Sequence, residues 1–302
     1  MPGATALIFG ASGQDGFYLG ELCRARGIRP IGVSRSPGND AWTVGDVARR
    51  EQVDALVREH QPDYIFHVAA NSTTRHEALF ENHETISTGA LNVLEAVRLH
   101  RPEARVFLSG SGLQFENRGE PISERDPFEG NSAYSVARVQ SVYAARYFRR
   151  LGVHAYVGYL FHHESPLRKP HHVSQKIAQA VRRIAGGSGE TLELGDISVR
   201  KEWAFAGDIA AGMLALLEQD TVFEACIGTG VVHSIEDWLE ACFGLVNLHW
   251  REHVRLREGF VAEYPRLVSD PATMRSLGWS PQVDLPRLAA MMMAPAPAEA
   301  AV

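Results

Sequence analysis

The stretch TALIFGASGQDGFYLGELCRARG (5–27) decides the fold, because three glycines separate an apolar run from an amphipathic segment. Its first six residues are mostly apolar and end at Gly10, which is typical of a buried strand. Its last twelve residues carry apolar side chains at helical spacing and end at Gly27, which predicts a glycine-capped helix. Gly10, Gly13 and Gly16 have the spacing G-x-x-G-x-x-G. The stretch therefore predicts the first strand, turn and helix of a parallel α/β sheet.

Strand-like and helix-like segments alternate through the first two-thirds of the 302 residues. The further predicted strands cover 29–34, 63–70, 105–110 and 153–161, and the further helices cover 48–60, 83–100 and 133–152. This alternation predicts an α/β fold, a Rossmann-type doubly wound parallel sheet with helices on both faces. After residue 165 the segments become shorter and mixed, with helices near 172–186 and 207–219 and a strand near 191–195. We expect a Rossmann domain over 1–165, to which some later segments return, a smaller C-terminal lobe over 166–290 and a flexible tail over 291–302.

Composition excludes several classes of protein. Apolar residues make up 45% of the chain, which is enough for a sizeable core. The net charge of −6, from 30 basic and 36 acidic side chains, argues against a nucleic-acid partner. The apolar runs are too short to span a membrane, and no signal region is evident. Cys23, Cys226 and Cys242 are odd in number and far apart, as expected of reduced thiols in a cytoplasmic protein.

The glycine-rich turn predicts a dinucleotide site. One glycine allows the tight turn, another lets the backbone approach a pyrophosphate, and the third allows the helix to pack against the strand. The start of the helix offers free N–H groups and a partial positive charge to phosphate. The residues predicted to bind the cofactor here are Gly10, Ser12, Gly13, Gln14, Asp15 and Gly16.

The end of the second strand predicts which cofactor binds. An acidic residue there would accept hydrogen bonds from the 2′-hydroxyl of NAD, whereas an arginine would pair with the 2′-phosphate of NADP. The chain has Arg35 followed by Ser36 and no acid directly at the strand end. The pattern favours NADP over NAD. Four further positions are predicted by pattern to lie along the cofactor, at the adenine or beneath the dinucleotide: Asp46, Val47, Ala69 and Ala70.

Several segments resemble one family throughout the chain. GASGQDG (10–16) is similar to G-x-T-G-Q-D-G, and LFHHESP (160–166) is similar to L-F-N-H-E-S-P. The segments at 173–184, 194–213, 228–240 and 269–283 also fit. On these motifs the chain resembles the GDP-mannose 4,6-dehydratase family of extended short-chain dehydrogenases/reductases. The resemblance implies NADP, a nucleotide-sugar substrate, most simply a GDP-hexose, and a substrate lobe formed by the C-terminal part.

The segment YSVAR (134–138) stands where the superfamily has its catalytic tyrosine and lysine. The resemblance implies that Tyr134 exchanges a proton with a sugar hydroxyl while hydride moves to or from the nicotinamide. Arg138 stands at the position of the lysine, four residues later on the same helix face. It keeps the positive charge that favours phenolate, but it is bulkier than lysine and its protonation is fixed. Both residues are predicted to contact the cofactor as well.

The chain departs from the family after the fourth strand. Where the family has S-T-S-E-L-Y-G, this chain reads SGSGLQF (109–115), so Gly110 replaces the threonine and Gly112 replaces the glutamate base. Ser109 or Ser111 could supply the missing hydroxyl, and Glu116 or Glu124 could replace the base. Three interpretations stay open: a dehydratase with a displaced base, a 4-keto-sugar reductase or epimerase, and a non-catalytic protein that binds NADP and a nucleotide sugar.

The resemblance also implies substrate contacts in the C-terminal part. The residues concerned are His163, Glu164, Ser174, Lys176 and Lys201. With Arg200, the two lysines supply positive charge suited to a diphosphate. The histidine pairs at 162–163 and 171–172 lack accompanying cysteines, and adjacent histidines point in different directions, so we expect no metal site. Relatives are commonly dimers or tetramers, and a homodimer or homotetramer is expected.

Overall fold

A computed structural model describes residues 3–36 and 42–294 of the chain. The helices are α1 (Gln14–Ala25), α2 (Arg50–His60), α3 (Leu79–Asn82), α4 (Gly89–His100), α5 (Ala133–Arg150), α6 (Val173–Ala185), α7 (Ala206–Leu217), α8 (Ile235–Gly244), α9 (Ala272–Ser276) and α10 (Leu285–Met293). The strands are β1 (Thr5–Phe9), β2 (Arg29–Ser34), β3 (Thr43–Val44), β4 (Tyr64–His67), β5 (Arg105–Ser111), β6 (His154–Leu160), β7 (His163–Glu164), β8 (Leu192–Leu194), β9 (Arg200–Glu202), β10 (Ala204–Phe205), β11 (Glu224–Ile227), β12 (Val232–Ser234), β13 (Val254–Leu256) and β14 (Arg266–Leu267).

Seven parallel strands form the main sheet in the order β11, β6, β5, β4, β1, β2, β3. The chain progresses from β1 towards β3 and then crosses back to β4, so the order reverses between β1 and β4. In open α/β sheets a ligand crevice lies at such a reversal, at the carboxyl ends of the strands. The loops after β1 and β4 therefore form the floor of the candidate site.

Helices cover both faces of this sheet. Apolar side chains of α2, α4 and α5 pack on one face, and those of α1 and α7 pack on the other. Strands such as β1 and β4 are buried along their whole length, because a parallel sheet between two helical layers has no solvent-facing side. The predicted Rossmann-type α/β fold is confirmed.

The C-terminal lobe has its own apolar core between α6, α8 and α10. At its centre the indole rings of Trp203 and Trp238 stack with centroids 4.7 Å apart. Two segments beyond residue 165 lie against the main sheet instead: α7 packs on α1, and β11 pairs with β6. The boundary expected at residue 291 falls inside α10, where Met292 is buried. The remainder of the expected tail, from residue 295, lies outside the described residues.

Two helices differ from the sequence prediction in ways that affect the site. Helix α1 begins at Gln14, so Gln14 and Asp15 already lie in its first turn. The predicted helix 83–100 extends back to residue 79 and contains a π-helical stretch at His83–Thr88, before α4. Apolar periodicity cannot reveal such a stretch, because a π turn has a different pitch. Within 3–36 and 42–294 we find no helix whose length and hydropathy suit a membrane crossing.

Candidate active site

The glycine-rich turn brings the loops after β1 and β4 into direct contact. Gly10 has φ +97°, and a Cβ atom there would lie 2.7 Å from the backbone nitrogen of Ala69. A Cβ at Gly16 would lie 2.3 Å from the carbonyl oxygen of Gly10. Both positions therefore require glycine. Gly13 is the N-cap of α1 and provides no side-chain cap, so the first N–H groups of the helix stay available to an anion.

The end of β2 borders this turn. The Ser34 hydroxyl donates a 2.8 Å hydrogen bond to Ser12 Oγ. Arg35 projects from the rim with 59% of its side chain exposed, and its guanidinium lies 3.2 Å from Glu81 Oε1. Glu81 also accepts a 2.8 Å bond from the Asn71 amide. A phosphate placed beside Arg35 would compete with a surface ion pair, and such pairs contribute little energy. The ion pair with Glu81 is thus the contact that an anion at Arg35 would have to displace.

The other predicted cofactor residues flank the same crevice. Asp46 accepts a 2.9 Å bond from the backbone N–H of Ala48, and Val47 is buried below it. Ala69 is half-buried and Ala70 is exposed beside the glycine-rich turn.

Tyr134 and Arg138 lie together on α5, at the carboxyl end of β5. The helix begins with a capping box between Ser132 and Ser135, which places Tyr134 in the first turn. The guanidinium carbon of Arg138 lies 5.0 Å from the centre of the Tyr134 ring. Among the described residues, none forms a hydrogen bond with the Tyr134 hydroxyl. The tyrosine therefore has a cation against its ring and an unengaged hydroxyl.

Arg138 is buried and anchors the floor of the site. Its Nη1 donates to the carbonyl oxygen of Ser109 and, at 2.7 Å, to Ser109 Oγ. Ser109 Oγ in turn donates to the carbonyl oxygen of His67 at 3.1 Å. The proton of the Ser109 hydroxyl is therefore already donated within the protein. Its neighbour Ser111 accepts a bond from Leu113 N at 3.2 Å and keeps its own proton for another acceptor.

Gly110, on β5, and Gly112, just after it, face aromatic rings. A Cβ at Gly110 would lie 2.6 Å from Tyr159 Cδ1, and one at Gly112 would lie 2.7 Å from Phe161 Cε1. Side chains at these positions would need the rings to move, which close packing opposes. A side chain at residue 112 would therefore require the Phe161 ring to move, and this chain has no carboxylate at that position.

The two glutamates considered as substitutes for the base are already engaged. Glu116 is paired with Arg118, with a Nη2–Oε2 distance of 2.7 Å; Arg118 is largely exposed and Glu116 is partly exposed. The Glu124 carboxylate accepts a hydrogen bond from the Thr273 hydroxyl on α9. Neither side chain approaches the Tyr134 hydroxyl within hydrogen-bond distance.

The segment His163–Pro166, here called the HESP turn, contacts the first turn of α1. Asp15 Oδ1 lies 2.9 Å from His163 Nε2, and Ser165 Oγ donates a 2.9 Å bond to Gln14 Oε1. Burial opposes both charges, but the attraction within the pair is stronger: the pKa of His163 is raised and that of Asp15 is lowered. Gln14, Asp15 and His163 were predicted to bind cofactor or substrate, and the structure shows their polar groups bonded to one another.

A buried charge cluster follows the HESP turn. Glu164 is completely buried, with its carboxylate 3.3 Å from Arg168 Nε and 2.7 Å from His162 Nε2. Burial disfavours the carboxylate, but Arg168 chiefly outweighs it and holds the pKa of Glu164 well below its usual value. Lys201 Nζ lies 2.8 Å from the same His162 nitrogen, and burial lowers the pKa of Lys201 to about 8. His162 can accept from Lys201 or donate to Glu164, but not both at once.

The residues predicted to bind the substrate do not lie together in one site. Glu164 and Ser174 are fully buried, so neither offers a surface to a substrate in this conformation. Lys176 lines a cavity of about 320 Å³ in the C-terminal lobe, with Leu194, Arg257, Phe260, Glu263 and Tyr264. Lys201 lies in the charge cluster and does not line this cavity.

Sequence reasoning missed Arg168 and Tyr159. Residues 164–168 form a strand end and a turn, so the helical i, i+4 rule does not apply and no sequence signal marked the pairing of Arg168 with Glu164. No sequence signal marked Tyr159, because its partner Gly110 lies on a neighbouring strand. In the described part of the chain, no three His, Cys, Asp or Glu side chains are grouped to hold a metal ion.

The family described as GDP-mannose 4,6 dehydratase matches residues 7–292. GDP-mannose 4,6 dehydratase 1 of Arabidopsis thaliana is 31% identical over 325 residues, covering 97% of this chain and 89% of the relative. The GDP-mannose 4,6-dehydratase of Sinorhizobium fredii is 30% identical, covering 79% and 75%.

Solved structures share the fold. UDP-glucose 4-epimerase from Thermotoga maritima, solved with UDP-glucose, has a TM-score of 0.83 and 17% identity, over 96% of this chain and 97% of that chain. RMD from Pseudomonas aeruginosa, solved with NADPH, has a TM-score of 0.83 and 19% identity, with the same coverage.

Proposed function

Since the chain belongs to the GDP-mannose 4,6-dehydratase family, we propose that it is an NADP-dependent enzyme that transfers hydride at C4 of a nucleotide sugar without dehydration. The reaction proposed is the reduction of a 4-keto nucleotide sugar by NADPH to the C4 alcohol. The observation that carries this proposal is the pairing of Tyr134 and Arg138 with a glycine at residue 112, beside the Phe161 ring.

The cofactor half of the proposal rests on the glycine-rich turn and Arg35. The uncapped first turn of α1 offers N–H donors to a pyrophosphate. Arg35 stands at the end of β2, where the adenosine ribose is expected in this fold. An arginine there can pair with the 2′-phosphate that NADP has and NAD lacks. NADPH bound there would supply hydride from its nicotinamide. Tyr134 and Arg138 lie at the carboxyl end of β5, where a nicotinamide is expected in this fold.

In the proposed reduction Tyr134 donates a proton to the C4 oxygen as hydride reaches C4. The Arg138 guanidinium stabilises the phenolate that forms, because a cation close to the ring favours the charged form. Water or solvent buffer then returns the proton to Tyr134. Ser111 can donate to the same sugar oxygen, whereas Ser109 is occupied by Arg138 and His67.

Dehydration needs one further group, a base that removes the C5 proton. Gly112 has no side chain, and the ring of Phe161 occupies the adjacent space. Glu116 is paired with Arg118, and Glu124 accepts a hydrogen bond from Thr273. Hydride transfer at C4 does not require such a base, so the remaining constellation is sufficient for reduction.

The nucleotide is proposed to bind in the cavity of the C-terminal lobe. Lys176 and Arg257 give it positive charge for a diphosphate, and Phe260 and Tyr264 give it aromatic surface for a base. A GDP-hexose is proposed because the named relatives act on GDP-mannose. His163 and Glu164, predicted to contact the sugar, make their contacts within the protein.

A homodimer or homotetramer is proposed from the exposed apolar side chains of two packed helices. Leu91 and Leu99 on α4 are 48% and 46% exposed, and Tyr143 on α5 is 57% exposed. Light scattering after size-exclusion chromatography measures the assembly directly. A monomer at micromolar concentration would contradict this part of the proposal.

The function is tested by two assays on one preparation. The first offers a GDP-4-keto-6-deoxyhexose with NADPH and follows absorbance of the reduced nicotinamide; consumption is expected. The second incubates GDP-mannose with NADP and looks for loss of one water by mass spectrometry; no loss is expected. Loss of water would establish a dehydratase with an unrecognised base.

Conversion between C4 epimers without net change in NADPH would identify an epimerase. Binding of NADPH and GDP without hydride exchange on any sugar nucleotide would identify a non-catalytic binding protein.

A further inference from the structure

Three hydrogen bonds connect the first turn of α1 to the HESP turn. Asp15 Oδ1 pairs with His163 Nε2 at 2.9 Å. Ser165 Oγ donates to Gln14 Oε1 at 2.9 Å, and Gln14 Nε2 donates to the His163 carbonyl oxygen at 3.3 Å. The partners are about 150 residues apart in sequence, so the contact is made only by the fold.

We propose that His163 and Ser165 are positioning residues for the dinucleotide. They act through Asp15 and Gln14 to hold the first turn of α1 so that its N–H groups face the pyrophosphate. The inference rests on the proposed use of a nicotinamide dinucleotide. It differs from the expectation that His163 contacts the substrate and that Gln14 and Asp15 contact the cofactor through their side chains.

The His163 ring is held at both nitrogens. Nδ1 lies 2.6 Å from the Phe161 carbonyl oxygen, which can only accept, so Nδ1 carries a proton. Nε2 faces the Asp15 carboxylate, and the ring is 12% exposed. A ring with both nitrogens engaged and little exposed surface cannot turn towards a substrate without breaking its partly buried contact with the Asp15 carboxylate.

The other side of the same turn is fixed by close backbone contact. Gly16 approaches Gly10 so closely that a Cβ would lie 2.3 Å from the Gly10 carbonyl oxygen. The first turn of α1 is therefore confined between the glycine loop and the HESP turn. Anion binding at a helix N-terminus depends on the direction of its N–H groups, so a rotation of this turn weakens the binding of a pyrophosphate.

The test compares cofactor affinity with nucleotide affinity in the full chain. NADPH and GDP are titrated separately by calorimetry into His163→Phe, His163→Gln and Ser165→Ala. The control is His154→Gln, because His154 is exposed at the start of β6. The unfolding midpoint of each variant without ligand reports any general loss of stability.

His163→Phe is expected to weaken NADPH binding roughly tenfold to hundredfold, since it breaks the partly buried charged contact with Asp15. GDP affinity is expected to stay within about twofold, because the cavity lies in the other lobe. His163→Gln is expected to fall between wild type and His163→Phe, because an amide can still donate to Asp15. Ser165→Ala is expected to weaken NADPH binding less than His163→Phe does. His154→Gln is expected to leave NADPH affinity unchanged.

Unchanged NADPH affinity in both His163→Phe and Ser165→Ala would overturn the inference. A parallel fall in NADPH affinity, GDP affinity and unfolding midpoint would also overturn it, because it would show a general structural role. If His163→Phe does not fold, the NADPH affinities of Ser165→Ala and His163→Gln test the inference instead. A wild-type chain that binds neither NADPH nor NADH would refute the proposed function itself, and that result is visible before any variant is made.

Discussion

The hydroxyl of Tyr159 donates a 2.7 Å hydrogen bond to Glu224 Oε2, and the ring it anchors fills the space beside Gly110. Arg146 donates to both oxygens of the same carboxylate, from Nε to Oε1 and from Nη2 to Oε2. Arg149 also donates to Oε1. The ring therefore cannot move away without disturbing a partly buried ion-pair network. The absence of a side chain at residue 110 is thus part of the packing between β5, β6 and β11.

Gly110→Ala should destabilise the protein by about 1–3 kcal/mol, because the new methyl group meets the Tyr159 ring. Urea denaturation followed by circular dichroism measures the change. Gly189→Ala is the matched control, since nothing lies within 4 Å of a Cβ there and its φ is not positive. The control should be neutral or slightly stabilising. Equal stability of Gly110→Ala and wild type would show that Tyr159 moves freely.

Glu224→Gln should lower stability at neutral pH by roughly 3 kcal/mol. Burial favours the neutral acid, but Arg146, Tyr159 and Arg149 outweigh it and lower the pKa of Glu224 to about 2, from 4.5. A carboxyl group whose pKa is lower in the folded state stabilises the folded protein at any pH above its unfolded-state pKa. This contribution of Glu224 is lost as pH falls from 4.5 towards about 2. The difference between variant and wild type should therefore shrink over this range in urea denaturation. A difference independent of pH would contradict the assignment.

The Asp15–His163 pair should make stability depend on pH in the opposite sense. The Asp15 carboxylate raises the pKa of His163 above 6.5 despite burial. A histidine whose pKa is higher in the folded state contributes its full stabilisation of the folded protein below pH 6.5. This contribution is lost as pH rises through the folded-state pKa of His163. Wild type should lose stability on this rise, whereas His163→Gln should show a flatter profile. Denaturant titrations from about pH 6 to pH 9 measure both. Parallel profiles for the two proteins would refute the pairing.

Tyr134→Phe should lower the rate of hydride transfer about 10²- to 10⁴-fold, because the proton donor to the C4 oxygen is lost. NADPH affinity should change little, since the ring and the contacts of Arg138 remain. The assay is oxidation of NADPH by a 4-keto sugar nucleotide under single turnover. Tyr64→Phe is the control, because Tyr64 begins β4 at the opposite end of the sheet. Full activity of Tyr134→Phe would remove Tyr134 from the mechanism.

Arg35→Ala should weaken NADPH binding about tenfold, by removing a charge-assisted contact to the 2′-phosphate. NADH affinity should stay unchanged and serves as the internal control, because NADH lacks that phosphate. Competing titrations of the two cofactors into one preparation measure the ratio. An equal loss for both cofactors would place Arg35 elsewhere, and no loss for either would refute the preference for NADP.

The order of strands and helices, the glycine-rich turn and the family could all be inferred from the sequence. They depend on local patterns: apolar periodicity, glycine spacing and short motifs such as those at 10–16 and 160–166. The approach of Tyr134 and Arg138 also follows from the sequence, because residues four apart share one face of a helix. The missing carboxylate at Gly112 is visible there too.

Only the tertiary structure decided how these pieces are used. It showed that the Ser109 hydroxyl is hydrogen-bonded to Arg138 and His67, whereas the Ser111 hydroxyl accepts a bond from Leu113 N and can still donate its proton. It also showed that the rings of Tyr159 and Phe161 fill the space beside Gly110 and Gly112. It also joined Asp15 to His163, residues that were expected to contact different ligands. The physical reason is the same in each case. These contacts link strands and turns far apart in the chain, and a local pattern carries no information about which distant side chain completes a hydrogen bond or fills a space.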